Sequence, residues 1–186
     1  MDRSPRQTWD ARYRERGIVP GPPAPWLAEN RDLLAGTRAL DLACGIGRNA
    51  RFLAGLGFAV DALDVSEVAI AALRGTPGVT ARVADLEHQP LPAEPYDVIV
   101  IIDYLQRDLF AAAPAALRPG GVIVAETVTR AHVERLGRRF DRRFLLEPGE
   151  LREAFAGLEV LRSAEGIVSR GDRPRAVASI VARRSS

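Results

Sequence analysis

The stretch ALDLACGIGRNARFLAGLGFAVDALDVS, residues 39–66, decides how this chain is read. An apolar run, Ala39 to Ala43, meets a glycine-rich turn at Cys44 to Gly47. A helical pattern follows, and then a second apolar run closed by Asp64. The order is strand, tight turn, helix, strand, with one carboxylate ahead of the turn (Asp41) and another ending the second strand. Such a unit forms a nucleotide pocket from few residues. Gly45 and Gly47 let the backbone approach a ligand where a Cβ would clash, and an acidic residue about 20 positions on can take both hydroxyls of a ribose. The competing reading is a βαβ unit whose glycines only make the turn.

Asp41 bears on which nucleotide is meant. Gly45, Gly47 and Ala50 fit the GxGxxG/A pattern of NAD-binding folds, but a carboxylate four residues before Gly45 is unfavourable beside a pyrophosphate. It suits a ligand that carries an ammonium group and a sulfonium. S-adenosylmethionine has both and no phosphate. DxxxGxG followed by a strand-ending Asp resembles motif I and the acidic loop of class I S-adenosylmethionine-dependent methyltransferases.

Outward from this unit the pattern alternates. A helix is expected from about Thr8 to Gly17, with Trp9 and Tyr13 four apart on one face. Residues 18–25 carry Pro20, Pro22, Pro23 and Pro25 and read as an extended loop. A short helix, Trp26 to Leu34, leads to strand one at Arg38 to Ala43, a helix from Gly47 to Leu56, and strand two at Ala59 to Leu63. Ser66 can cap a helix from Glu67 to Arg74. Strand three is Val79 to Ala84. YDVIVII, Tyr96 to Ile102, is apolar on both faces, as a central parallel strand should be.

A helix from Leu105 to Leu117, kinked or split in two at Pro114, then ends in Arg118-Pro119-Gly120-Gly121, which launches strand five, Val122 to Glu126. Glu150 to Phe155 reads as a short helix after Pro148-Gly149. Leu158 to Ser163 and Ala176 to Ala182 read as strands around a polar loop with Gly171 and Pro174. The fold class expected is α/β: a Rossmann-like, doubly wound, seven-stranded and mostly parallel sheet with an antiparallel C-terminal hairpin. Residues 1–186 are expected to form one domain, with 1–36 as N-terminal lid and helices and 37–186 as the core.

The resemblance extends along nearly the whole chain. Ala84-Asp85-Leu86 resembles the family position where a carboxylate meets the adenine amino group, Ile102-Asp103 the loop at the junction of methyl donor and substrate, and LRPGGVIVAET the helix end, glycine turn and fifth strand. WDARYRERG (Trp9 to Gly17), PGPPAPWLAEN and GIGRNARFLA are similar to small bacterial tellurite-resistance-like methyltransferases. That likeness implies that Trp9, Arg12 and Tyr13 fold over the cofactor as a lid, and that Arg48 or Asn49 sits near its methionine end. Core packing is the other reading of Trp9 and Tyr13.

Asp41 would hold the amino group, or cap amides of its own turn. Asp64 would take the ribose hydroxyls, or cap the next helix. Ala43, Gly45, Gly47, Val65, Ser66, Asp85, Leu86 and Ile102 complete the expected cofactor site. Asp103, Tyr104, Arg107 and Glu126 are the substrate-facing candidates, with His132 beside them, and no base is assignable. No metal is expected. Arg135, Arg138, Arg139, Arg142 and Arg143 would share one helix face, either solvated or able to draw in an anionic acceptor.

Composition narrows the class. The basic residues number 26 and all are arginine, which explains a pI near 9.2 at a net charge of only +2. So small a surplus does not argue for nucleic acid. Cys44, the one cysteine, rules out an internal disulfide; it reads as a small side chain packed under the turn, with a nucleophile as the other reading. No run approaches membrane-spanning length, and MDRSPRQTWD has no apolar core, so no signal peptide is expected and a cytoplasmic location is the default.

The expected function is methyl transfer from S-adenosylmethionine to a small molecule, since 186 residues leave no room for a separate domain that recognises nucleic acid or protein. A non-catalytic S-adenosylmethionine-binding module is the alternative. A small NAD-dependent oxidoreductase is the more distant one, because it would leave Asp41 and Asp85 without a purpose. Monomer and homodimer are both open.

Overall fold

A computed structural model describes residues 4–170 and 173–185. Seven strands form one sheet in the order β3-β2-β1-β4-β5-β7-β6. They are β1 (Arg38–Leu42), β2 (Ala59–Asp64), β3 (Val79–Val83), β4 (Tyr96–Ile102), β5 (Leu117–Val128), β6 (Glu159–Arg170) and β7 (Arg173–Arg183). The first five pair in parallel, while β7 runs antiparallel to both β5 and β6. This is the doubly wound sheet with an antiparallel end expected from the sequence.

The apolar run of β4 is explained by two cores. Ile99 and Ile101 pack with Leu40, Leu42, Ile123, Phe110 and Phe155 on one face. Val98, Val100 and Ile102 pack with Ala39, Leu53, Val60 and Leu27 on the other. The same alternation turns Asp41 toward the second face, under α3 (Arg48–Gly55). The strand order reverses between β1 and β4. There the crevice beyond the strand C-termini opens, where open α/β sheets bind ligands.

Several elements differ from expectation. Helix α1 spans Pro5–Arg16, beginning earlier because Ser4 and Gln7 form a reciprocal capping box and Pro5 occupies the first turn. The single helix expected over 26–34 divides into α2 (Pro25–Glu29) and a 3-10 turn (Arg31–Leu33). Asn30 interrupts it by donating its side-chain amide to the Trp26 carbonyl at 2.7 Å. Helix α4 covers only Glu67–Ala71, whereas the division expected at Pro114 is present, α5 (Arg107–Ala112) giving way to a 3-10 turn that contains it.

Arg118 to Gly121 lies inside β5 as an irregularity rather than ahead of it. The register shifts between Tyr96 and Val98, Gly120 takes a φ of 76°, and a Cβ on Gly121 would meet three carbonyl oxygens at 3.0–3.1 Å. The hairpin strands are far longer than expected. Pro174 is paired with Ser169 within the ladder, and Gly171 lies outside the described residues.

The arginine-rich segment does not form one helix face. Helix α6 is only Ala131–Glu134, Gly137 turns left-handed at φ 61°, and a 3-10 turn occupies Arg142–Phe144 before α7 (Glu150–Ala154). Spacing alone does not register the glycine that ends the helix. No helix among the described residues is long and apolar enough to cross a membrane.

Candidate functional site

A cleft of about 360 Å³ lies at the C-terminal ends of β1, β2, β3 and β4, with α1 laid across it. Of the residues expected at the site, Trp9, Tyr13, Ala43, Gly45, Arg48, Asn49, Asp64, Val65, Asp85, Leu86, Ile102, Asp103 and Tyr104 line it. Pro5, Arg16, Cys44, Ile46, Ala84 and Glu87 line it too. Most of these were within reach of the sequence. Cys44 and Ile46 lie inside the glycine turn, Ala84 and Glu87 flank Asp85-Leu86, and Pro5 and Arg16 continue the helical stripe of Trp9 and Tyr13.

Two glycines expected to share one role divide it. Gly45 lines the cleft, and a Cβ there would come 2.7 Å from the Tyr13 hydroxyl. Gly47, the N-cap of α3, does not line it; its Cβ would fall 2.1 Å from Leu73 Cδ2, so its bareness serves packing. Ala43 (φ 53°) and Asp103 (φ 60°) are the two non-glycine residues with left-handed backbone among those described. Both line the cleft, at the ends of the neighbouring strands β1 and β4. Strain of this kind clusters where chain geometry is dictated by a site.

The carboxylates take distinct positions. Asp64 accepts the Gly45 N–H on Oδ2 and the Ser66 N–H on Oδ1, both at 2.8 Å, so it ties the glycine turn to the end of β2. Burial raises its pKa against these hydrogen bonds. Asp41 is 1% exposed and its Oδ2 has no hydrogen-bond partner among the described residues. Burial pushes its pKa up to about 7; the Asp64 charge adds, and the Ala50 N–H and Arg48 oppose. Asp41 lies beneath the cleft rather than on its wall. Asp85 accepts the Glu87 N–H at 3.1 Å and faces His88 Nδ1 at 3.0 Å.

Helix α1 is held by a buried anchor. Asp10 Oδ1 accepts the Ser66 hydroxyl at 2.5 Å and the Val68 N–H at 3.2 Å, and Arg6 meets Glu67 at 2.9 Å. Burial alone would raise the Asp10 pKa, but these hydrogen bonds outweigh it and hold the carboxyl low. Ser66 itself caps α4 and lies off the cleft. On the adjoining face of α1, Trp9 stacks on Tyr13 with centroids 5.9 Å apart, and the exposed Arg12 guanidinium covers Trp9 at 4.8 Å without lining the cleft.

At the other end, Asp103 accepts Arg48 at 2.9 Å and Arg175 at 2.6 Å. Tyr104 donates its hydroxyl to Gln106, and burial raises its pKa. Asn49 accepts the Ala24 N–H at 2.9 Å, which pins the proline-rich segment. Arg107 and Glu126 lie away from the cleft. Arg107 pairs with Glu150 at 2.6 and 3.0 Å, and the buried Glu126 accepts the Ser179 hydroxyl at 2.6 Å. His132 Nδ1 lies 3.4 Å from the Ala176 N–H, also off the cleft.

The residues present fit S-adenosylmethionine by their chemistry. An open carboxylate oxygen under the turn suits an ammonium group, two further carboxylates suit hydroxyl and amino edges, and the bare Gly45 backbone leaves room for a ligand against it.

The comparisons agree with this geometry. Residues 39–121 match the family described as a methyltransferase domain. The ubiquinone biosynthesis O-methyltransferase of Burkholderia lata is 34% identical over 108 residues, a match covering 52% of this chain and 47% of that one. The chain thus spans about half the length of the curated relatives it matches. TehB from Haemophilus influenzae superposes with a TM-score of 0.75 at 20% identity, covering 95% of this chain and 67% of TehB. An S-adenosylmethionine-dependent methyltransferase from Mesorhizobium loti superposes with a TM-score of 0.68 at 23% identity, covering 87% and 98%. The glycine turn and the carboxylates at the ends of the first strands lie in the segment that matches a methyltransferase domain, and the seven-stranded sheet around them is similar to the fold of the solved S-adenosylmethionine-dependent methyltransferase from Mesorhizobium loti.

Proposed function

We propose that this chain transfers the methyl group of S-adenosylmethionine to a small-molecule acceptor, and that it does so in the cytoplasm. The observation that carries the reading is the polarity of one cleft. Asp64 and Asp85 line it near the ends of β2 and β3, with the buried Asp41 of β1 beneath them, while Asp103 and Tyr104 bound the far end. The bound cofactor supplies an activated sulfonium methyl group. Asp41 binds its ammonium group directly or through water, Asp64 and Val65 bind the ribose, and Asp85 and Leu86 bind the adenine edge. Trp9 and Tyr13 cover it from α1 and exclude water.

Tyr104 keeps its proton, because burial raises its pKa and its hydroxyl donates to Gln106 at 2.8 Å. It orients an acceptor rather than deprotonating one. Burial likewise holds the Cys44 thiol protonated, so it is not the nucleophile. The acceptor arrives as a soft or ionised nucleophile, and the site contributes in-line positioning and desolvation. An oxygen acceptor is in keeping with the curated relatives' names.

Calorimetric titration with S-adenosylhomocysteine, with NAD⁺ as control, tests the donor. Micromolar binding of the former alone is expected, followed by transfer of labelled methyl groups across an acceptor panel. NAD⁺ binding in its place overturns the reading. Cofactor binding with no transfer to any acceptor replaces it with a non-catalytic binding module.

A further inference from the structure

The cleft rim opposite Asp64 and Asp85 is basic, and a residue remote in sequence helps make it so. The Asp103 carboxylate stands between two guanidinium groups, Arg48 from the start of α3 and Arg175 from β7. Arg175 reaches this end because β7 runs antiparallel to β5 and enters the sheet where the parallel strands finish. Each guanidinium carries five N–H donors, yet each engages Asp103 through one nitrogen only and has no other acceptor among the described residues. Both side chains keep access to solvent, at 37% for Arg48 and 29% for Arg175.

Two cations on one anion leave a net positive rim. Its field is felt at His132, whose pKa is lowered by burial and then by Arg175 and Arg138. His132 is therefore uncharged at neutral pH and adds no cation, while Arg138 stands on the same side. Asp103 itself displays the chemistry that suits the gap, a planar carboxylate bridging two guanidinium forks.

We propose that this rim anchors the acceptor and selects a carboxylate-bearing small molecule, which takes the unused donors of Arg48 and Arg175 beside Asp103. The proposal rests on the methyl-transfer reading of the same cleft. A bidentate carboxylate–guanidinium contact fixes orientation as well as charge, so it aims the acceptor's body past Tyr104 toward the donor end. Asp103 is then a positioning residue that holds both guanidinium groups at the rim until the acceptor arrives.

The test is titration of the full chain, free and saturated with S-adenosylhomocysteine, with benzoate and with its uncharged counterpart benzamide. Benzoate should bind about tenfold more tightly than benzamide, the scale of a close charge pair. Arg175→Gln should erase that preference while leaving S-adenosylhomocysteine affinity and melting temperature at their parental values. Arg175→Lys, which keeps the charge without the fork, should retain only part of it, and Asp103→Asn should tighten benzoate. Equal binding of the two probes, or a preference that survives Arg175→Gln, overturns the proposal. A benzoate preference on the free chain without S-adenosylhomocysteine binding would remove the methyl-transfer reading and leave the carboxylate site standing.

Discussion

Gly45 and Gly47 are two positions apart in one turn, and only their surroundings separate them. Gly47→Ala drives a Cβ into Leu73 at a φ of 83°. It should cost roughly 2–4 kcal/mol of stability, the sum of left-handed strain and overpacking, read by urea denaturation. Gly45→Ala instead displaces the Tyr13 hydroxyl. It should weaken S-adenosylhomocysteine binding more than it lowers stability, and the reverse ranking would remove Gly45 from the ligand's path. Ala43 presents the opposite case, a side chain where the backbone is left-handed at φ 53°. Ala43→Gly should raise stability by about 1 kcal/mol by relieving that strain, and an unchanged denaturation midpoint would show that the turn absorbs it.

At the scale of elements, α1 illustrates what periodicity reveals and what it hides. The stripe of Trp9 and Tyr13 was legible, since residues four apart share a helix face. Asp10 was not, because an acidic residue in a polar helix reads as solvated until its partner is known. Its buried contacts to Ser66 and Val68 join α1 to α4. Asp10→Ala should cost about 1.5–3 kcal/mol, the range for charge-assisted hydrogen bonds. It should also speed amide exchange across residues 8–16 and weaken cofactor retention. Unaltered exchange in α1 would place its anchor elsewhere. The arginine-rich segment failed for a related reason, since the 3–4 spacing persists in sequence after Gly137 has ended the helical path.

For the molecule as a whole, Asp41 makes stability depend on pH. Its carboxyl titrates near 7 in the folded chain and near about 3.9 when unfolded. The folded state therefore keeps a proton that the unfolded state has lost. This contribution is fully present below about pH 4 and disappears as pH rises through about 7. Asp64, also raised by burial, acts in the same sense. Asp41→Asn should flatten the decline in stability between pH 4 and 7, measured as denaturation midpoints across that range. A decline of undiminished size in the variant would assign it to other groups.

The sequence by itself determined the βαβ unit, the alternation behind the doubly wound sheet and the placing of carboxylates at strand ends. Those features rest on local rules: a two-residue period in strands, a 3.6-residue period in helices, and glycine where the backbone turns left-handed. Only the tertiary structure decided which carboxylate oxygen stays open and which cations meet. Asp64 is claimed by two backbone N–H groups, while Asp41 Oδ2 has no hydrogen-bond partner among the described residues. Arg175, 72 residues beyond Asp103, joins Arg48 there only because β7 lies beside β5 in antiparallel register. Strand order, register and burial are properties of the assembled chain, and they set the electrostatics of the site.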